Sequence, residues 1–320
     1  MFQKYDYVLA VAHEKSFTKA AQKLFISQPT LSVAIKNIET ELGAPLFERT
    51  GSQVIPTEVG REYIAAAEKI QQIEREFSNK LGDIYRLETG SLTVGGSNYL
   101  SCYVLPKIIT RFSAEHPKIS VTPAEANSIT LAKMIETEEV DLVIDSFEDV
   151  TDQYECHPLL SECVLLCVPA EFSVNKGLED YCILPEEIQN GSVDLDCVPS
   201  LPIRRFADEK FILLKSGNNM YHRAKRAFES AGITPTVPFL VDQLNISYAL
   251  SESGLGICFV TDTFVHYSRP NENIRLYKIN EEAERRTLYV AYKKNRYCTH
   301  AMREFISTAQ KIIGQSSEKI

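Results

Sequence analysis

The chain of 320 residues contains no apolar run approaching 18 residues, so a membrane-spanning helix is excluded. Its opening, MFQKYDYVLAVAHEK, is too charged and too helical in pattern for an export signal, and a cytoplasmic location is expected. Eight cysteines (Cys102, Cys156, Cys163, Cys167, Cys182, Cys197, Cys258, Cys298) form no CxxC pair and no Cys/His set at zinc-finger spacing. The six histidines show no ligand spacing either, so neither metal nor cofactor is expected. GxSxG, HExxH and the phosphate-loop pattern GxxxxGK are all missing, and Gly254-Leu255-Gly256 lacks the third glycine of a dinucleotide loop. Those absences argue against an enzyme. Excess positive charge is also missing: the net charge is -9, which argues against indiscriminate binding to nucleic acid.

The distribution of charge says more than its total. Residues 1–61 carry seven basic against six acidic side chains, residues 1–87 are neutral, and the whole deficit lies in 88–320. A single N-terminal head therefore has few cations with which to neutralise phosphates, and its affinity for DNA must depend on placement and on pairing of two heads.

What is present begins with helical periodicity. Ala20, Ala21, Leu24, Leu31, Ile35, Ile38 and Leu42 recur at helical spacing, apart from one seven-residue step across Phe25-Ile26-Ser27-Gln28-Pro29. That step predicts the end of one helix and a new start at Gln28, with Ser27 capping free amides and Pro29 in the first turn. The outward face of the second helix offers amide, hydroxyl, methyl and cationic groups suited to base edges and phosphates. Gly43-Ala44-Pro45 stops this helix, and LFERT and QVIPT flank Gly51-Ser52 as a small hairpin, with Arg49 and Thr50 near its tip. The pattern is a winged helix-turn-helix. The candidate DNA-binding set is Thr18, Ser27, Gln28, Pro29, Thr30, Ser32, Val33, Lys36, Asn37, Arg49 and Thr50.

From Ser16 to Gly60 nearly every position resembles the N-terminal signature of LysR-type transcriptional regulators, and the proportions of the whole chain fit that family. Two departures stand out. Val33-Ala34 occupies a place where many relatives carry long polar residues, and the connection before Ser27 lacks the turn glycine of many helix-turn-helix units.

After Thr57, apolar residues follow at Val59, Tyr63, Ala66, Ile70, Ile73, Phe77, Leu81, Ile84 and Leu87, a near-heptad seam on a helix about 30 residues (roughly 45 Å) long. A two-helix dimer would cover that seam, with Tyr63, Ile70, Ile73 and Phe77 as its candidate residues; packing against the chain's own body is the alternative. The resemblance implies a dimerisation helix here, and Glu88 to Ser91 reads as the hinge that follows.

From Leu92, short β-rich runs alternate with amphipathic helices, an α/β pattern with mainly parallel strands expected. The resemblance implies two lobes of the type 2 periplasmic-binding-protein kind. The expected plan is an α/β protein overall: an N-terminal all-α winged head over 1–58, a linker helix over 57–88, and an effector domain over 91–313. Lobe one would span about 91–162 and 268–313, and lobe two about 163–267, with crossings near 161–164 and 261–268. The polar stretch Phe172–Phe206 reads as either a lid or a surface excursion.

Ligands of open parallel sheets collect where strands end and helices begin. That rule selects Ser97, Asn98, Tyr99 and Ser101; Asn127, Ser128 and Thr130; Asp145 and Ser146; and Lys215, Ser216, Asn218 and the adjoining Asn219. Each such residue also caps helices for structural reasons, so the set carries more weight than any member. Lys215 favours an anionic ligand and Asp145 a cationic or hydrogen-bonding one. A thiol-oxidation sensor is disfavoured because GNNMYHRAKRAF lacks the cysteine that such relatives place there, and a solute-binding protein by the fused head. The expected partners are double-stranded DNA with an inverted repeat, a small-molecule effector, and a second copy in a dimer or tetramer. RNA polymerase is a further partner the family resemblance admits; no membrane is involved.

Overall fold

The computed structural model describes residues 2, 4–50, 53–84, 89–147, 153–280 and 285–317. They form two compact units, residues 1–81 and 82–320.

In the first unit, α1 (Tyr5–Glu14), α2 (Phe17–Lys23) and α3 (Gln28–Leu42) precede the hairpin β1 (Phe47–Thr50) and β2 (Gln53–Pro56), and α4 (Glu58–Ile84) follows. Ser27 Oγ accepts from Thr30 N, Pro29 lies in the first turn, and Gly43 ends α3 at φ +74°. Phe25 takes the left-handed turn conformation, φ +55°, that glycine provides elsewhere, and its ring is almost wholly exposed. Val8, Val11, Ala20, Leu31, Ile35, Ile38 and Leu46 make the core. The Glu39 carboxylate accepts from Leu46 N (2.7 Å) and Thr57 Oγ donates to Pro45 O (2.7 Å), joining α3, the hairpin's approach and α4. Gly60 is required there: a Cβ would lie 1.9 Å from the Leu46 carbonyl oxygen. The hairpin's register pairs Arg49 with Val54 and Thr50 with Gln53. The Gly51-Ser52 turn and the side chains of Arg49 and Thr50 lie outside the described residues.

The seam on α4 divides. Tyr63 is buried in the head, its ring stacked on Phe2 at 4.8 Å, so it belongs to the chain's own core and not to an open seam. Ile70 is half-buried. Ile73 and Phe77 are 65% and 62% exposed, an unusual state for large apolar side chains one turn apart. The Ile84 side chain, and Leu87 and Glu88 of the expected hinge, lie outside the described residues.

The second unit is built on one mixed sheet. β3 (Gly90–Gly96), β4 (Ile119–Glu125) and β5 (Leu142–Asp145) are parallel, in the order β4-β3-β5, and carry α5 (Asn98–Tyr103), α6 (Leu105–Glu115) and α7 (Ser128–Glu136). β6 (Tyr154–Pro169) is the long crossing strand; α8 (Pro185–Gln189) and β7 (Lys210–Leu214) come next, then α9 (Asn219–Ala231), β8 (Thr236–Val241), α10 (Leu244–Glu252) and β9 (Ile257–Thr261). The order β8-β7-β9 repeats the arrangement of the first lobe. α11 (Asp262–Tyr267), β10 (Ile274–Lys278), β11 (Arg285–Lys293) and α12 (His300–Ser317) complete the chain.

Two expectations need correction. The strands are not mainly parallel: β11 runs antiparallel to β5 and β6, and β6 runs antiparallel to β9 and β10. The crossing strands travel back between the lobes, and the sequence pattern of a buried strand carries no direction. The return crossing also falls later than 261–268, because β10 pairs with residues 165–169 of β6 on the second lobe and only β11 returns to β5. The stretch 172–206 is neither a lid over the cleft nor a loose excursion. Leu178, Ile183, Ile188, Leu201, Ile203 and Phe206 are buried, and bridges Ile183–Leu276 and Leu201–Ile279 stitch the stretch to the second lobe.

Candidate nucleic-acid interface and interlobe cleft

α3 buries Leu31, Ala34, Ile35 and Ile38 against α1 and α2, which by helical geometry turns the intervening positions outward. Pro29, Thr30, Val33, Lys36 and Asn37 are exposed, Gln28 and Ser32 half-buried, and Thr18 of α2 and Ser27 are exposed beside them. The polar groups on this face are already ordered. Gln28 Nε2 donates to Ser32 Oγ at 2.7 Å, and the Ser27 and Thr30 hydroxyls share a hydrogen bond of 2.7 Å. A face built of amides, hydroxyls, one valine and one lysine can hydrogen-bond base edges, contact a thymine methyl and grip a phosphate.

In the second unit, Ser97, Asn98, Tyr99, Ser128, Asp145 and Asn218 line one void between the lobes. It holds only about 40 Å3, because the lobes are clasped across it. Ile129 N donates to Gly217 O at 3.2 Å, and Asn219 Nδ2 donates to Ser146 O (2.8 Å), Ser146 Oγ (3.2 Å) and Asp145 Oδ1 (3.3 Å). Beneath the void lies a buried ionic cluster. Arg286 Nε donates to Glu162 (2.7 Å), and Tyr99 Oη donates to both Glu162 oxygens (2.9 Å) while accepting from the same guanidinium. Desolvation pulls the Arg286 guanidinium down, but the Glu162, Tyr99 and Asp145 charges more than offset it and hold it above its ordinary value. Burial raises the Asp145 carboxyl, partly countered by Arg286 and by hydrogen bonds from Ser128, Ser146 and Asn219.

Residues 86–312 match the family described as LysR substrate binding domain, and residues 2–61 match the bacterial regulatory helix-turn-helix protein, lysR family. The chain belongs to the LysR family. It is thus a DNA-binding transcriptional regulator with an effector-binding domain, and not an enzyme. The HTH-type transcriptional regulator YcgK of Bacillus subtilis (strain 168) is 28% identical over 317 residues, 98% of this chain and 95% of its own. The RuBisCO operon transcriptional regulator of Allochromatium vinosum is 24% identical over 300 residues, 93% and 92% of the two chains. CbnR, a LysR family transcriptional regulator of known crystal structure, shares the fold at TM-score 0.65 and 17% identity, over 98% of this chain and 99% of that one. The structure of CbnR with its target DNA gives 0.66 at 17% identity, over 97% and 99%.

Not every candidate of this LysR-family chain reaches the cleft. Ser101 Oγ donates to Gly96 O (3.1 Å) and Asn127 Oδ1 accepts from Thr130 N (2.9 Å), so both serve their own helix starts; Thr130 is exposed. Lys215 is exposed and paired with Asp242 at 2.7 Å, which removes it as an argument for an anionic ligand. Ser216 is exposed, with its carbonyl accepting from His222 Nε2 at 2.8 Å. Ser146 is buried and held by Asn219. The residues that sequence reasoning missed are Glu162 and Arg286, which sit 124 positions apart on the two crossing strands. Glu162 carried one local signal, a charged residue inside the apolar run LLSECVLLCV, whereas Arg286 sits in the charged stretch EEAERRTLYV and carried none.

Proposed function

We propose that this LysR-family regulator reads an inverted-repeat operator through the outward face of α3 and the β1–β2 hairpin, as a dimer or a pair of dimers joined through α4. A small polar metabolite bound between the lobes shifts the arrangement of those dimers on DNA. Differential affinity for two arrangements is the physical means by which a ligand does this, with a coupling of about 1–3 kcal/mol. The observation that carries the reading is convergence: Ser97 and Ser128 from one lobe and Asn218 from the other face one void, beside the buried Asp145 carboxylate. A void of 40 Å3 is far below the roughly 300 Å3 of ordinary metabolite sites, so binding must part the Asn219 clasp and thereby move the lobes. This couples occupancy to shape. The protein works in the cytoplasm in this reading, where RNA polymerase is a further partner.

Ser97→Ala and Ser128→Ala should each weaken binding of a responsive metabolite by about 1 kcal/mol while leaving metabolite-free DNA affinity nearly intact. Isothermal titration and operator-shift assays on the same variants measure both. A bound-state structure with the metabolite touching none of these loops would sink the assignment.

A further inference from the structure

A second cavity, of about 280 Å3, shares no lining residue with the cleft. Successive strand residues point to opposite faces, so Arg286 of β11 serves the cleft while its neighbour Arg285 lines this cavity. The walls come from β6, the start of α11 and the stretch after α8. The last of these is a prebuilt roof: buried Lys278 donates through Nζ to Leu195 O (2.7 Å) and Val198 O (3.1 Å). Leu160, Ile188, Val193 and Leu195 supply an apolar side.

The polar side is acidic. Asp196 is engaged with the Arg285 guanidinium, and Asp194 accepts from Asp196 N (2.9 Å) and from Cys197 Sγ (3.2 Å). Asp262 accepts from Cys163 N (3.0 Å) and Thr263 N (2.7 Å), both through Oδ1. Its Oδ2 has no hydrogen-bond partner among the described residues, and the side chain lines the cavity together with Ser161. An anion placed here would face three carboxylates against one guanidinium already paired. A protonated amine would find an acceptor in Asp262 and a hydroxyl in Ser161, with room for an apolar body against the four aliphatic side chains.

We propose that this cavity is a second ligand site, selective for a small organic amine with an apolar body. It does not depend on the reading of the cleft. Because β6 and β11 are the strands that pass between the lobes, a ligand here would sit against the connection that joins them. Burial pushes the Asp262 carboxyl up to about 7, with Glu162 adding to it, so an approaching cation would complete an ionisation already close at neutral pH.

The test uses the full chain with phenethylamine as probe and phenylacetate as its anionic counterpart, followed by calorimetry. Phenethylamine should bind at about 0.1–1 mM, the range expected of a ligand of this size, and phenylacetate at least about tenfold more weakly. Asp262→Asn keeps an oxygen for the two backbone amides and should lower amine affinity at least about tenfold, while Val193→Trp should abolish binding by filling the space. Ser128→Ala, which acts on the cleft and lines no part of this cavity, should leave phenethylamine affinity here unaltered. No binding of phenethylamine at about 10 mM, equal affinity for the two probes, or an unchanged Asp262→Asn variant would each overturn the proposal. So would loss of binding in Ser128→Ala. The comparison of the two probes on the unmodified protein decides the matter even if a variant fails to fold.

Discussion

Gln28, proposed above as part of the base-reading face, is ordered in the free chain: its amide is fixed to Ser32 one turn along α3, which would reduce the rotamer freedom lost on reaching a base. Gln28→Ala should therefore relax sequence preference and cost about 1–3 kcal/mol on the specific operator, whereas Lys36→Ala should weaken all sequences alike. Competition with random DNA measures the difference; equal losses on both DNAs for Gln28→Ala would refute base reading by this side chain. Asp262 gives a pH prediction at the same scale. A carboxyl raised in the folded chain to about 7 binds a proton that the unfolded chain releases near 4, so its contribution is present at low pH and is lost as pH rises through 7. Glu162 sharpens the effect and Arg285 opposes it. Asp262→Asn should narrow the gap in melting temperature between about pH 5 and pH 8, raising stability mainly at the upper end. A gap identical to that of the unmodified protein would show that Asp262 is ionised throughout.

At the scale of elements, α4 carries two different duties along one stripe. Its first turns belong to the head, where Tyr63 and Ala67 are buried and Tyr5 Oη donates to Glu74 at 2.6 Å. Farther on, Ile73 and Phe77 leave apolar area in water that a partner helix would cover. Replacing both by Glu should yield folded, monomeric protein with strongly reduced operator affinity, because paired heads gain from one another's local concentration. Sedimentation at unchanged oligomer mass together with normal DNA binding would mean that this stripe is covered within the chain. β6 also has two duties, pairing with β11 over its first half and with β9 and β10 over its second. Its run of buried residues from Cys163 to Val168 follows from that double coverage.

At the scale of the molecule, the second unit is a pair of like lobes latched at the mouth and jointed at the crossing strands. Asn219 is the latch, reaching from the second lobe to Asp145 and Ser146 of the first. Asn219→Ala should cost about 1–3 kcal/mol of stability, because it strips hydrogen bonds from a buried carboxylate, and should speed amide exchange at the cleft loops. Exchange there at the unmodified rate would mean that the backbone donors, Ile129 N to Gly217 O and Asn219 N to Ser128 Oγ, keep the lobes together without the side chain.

Much of this protein was legible in the chain alone where the cause is local. The start of α3 at Gln28, its stop at Gly43 and the alternation of strands and helices depend on capping groups, turn residues and periodicity within a few positions. The hydroxyl and amide residues of the cleft could be named because strand ends and helix starts are local features as well. Tertiary structure alone decided which of them meet: Ser97, Ser128 and Asn218 converge, while Lys215 is spent on Asp242. It also decided the direction of β10 and β11, the burial of Tyr63, the joining of Glu162 to Arg286, and the cavity roofed by residues 193–196. Each of these depends on contact between segments far apart in sequence. Periodicity reports which face of an element is buried; what lies against that face is determined only when the whole chain has closed around it.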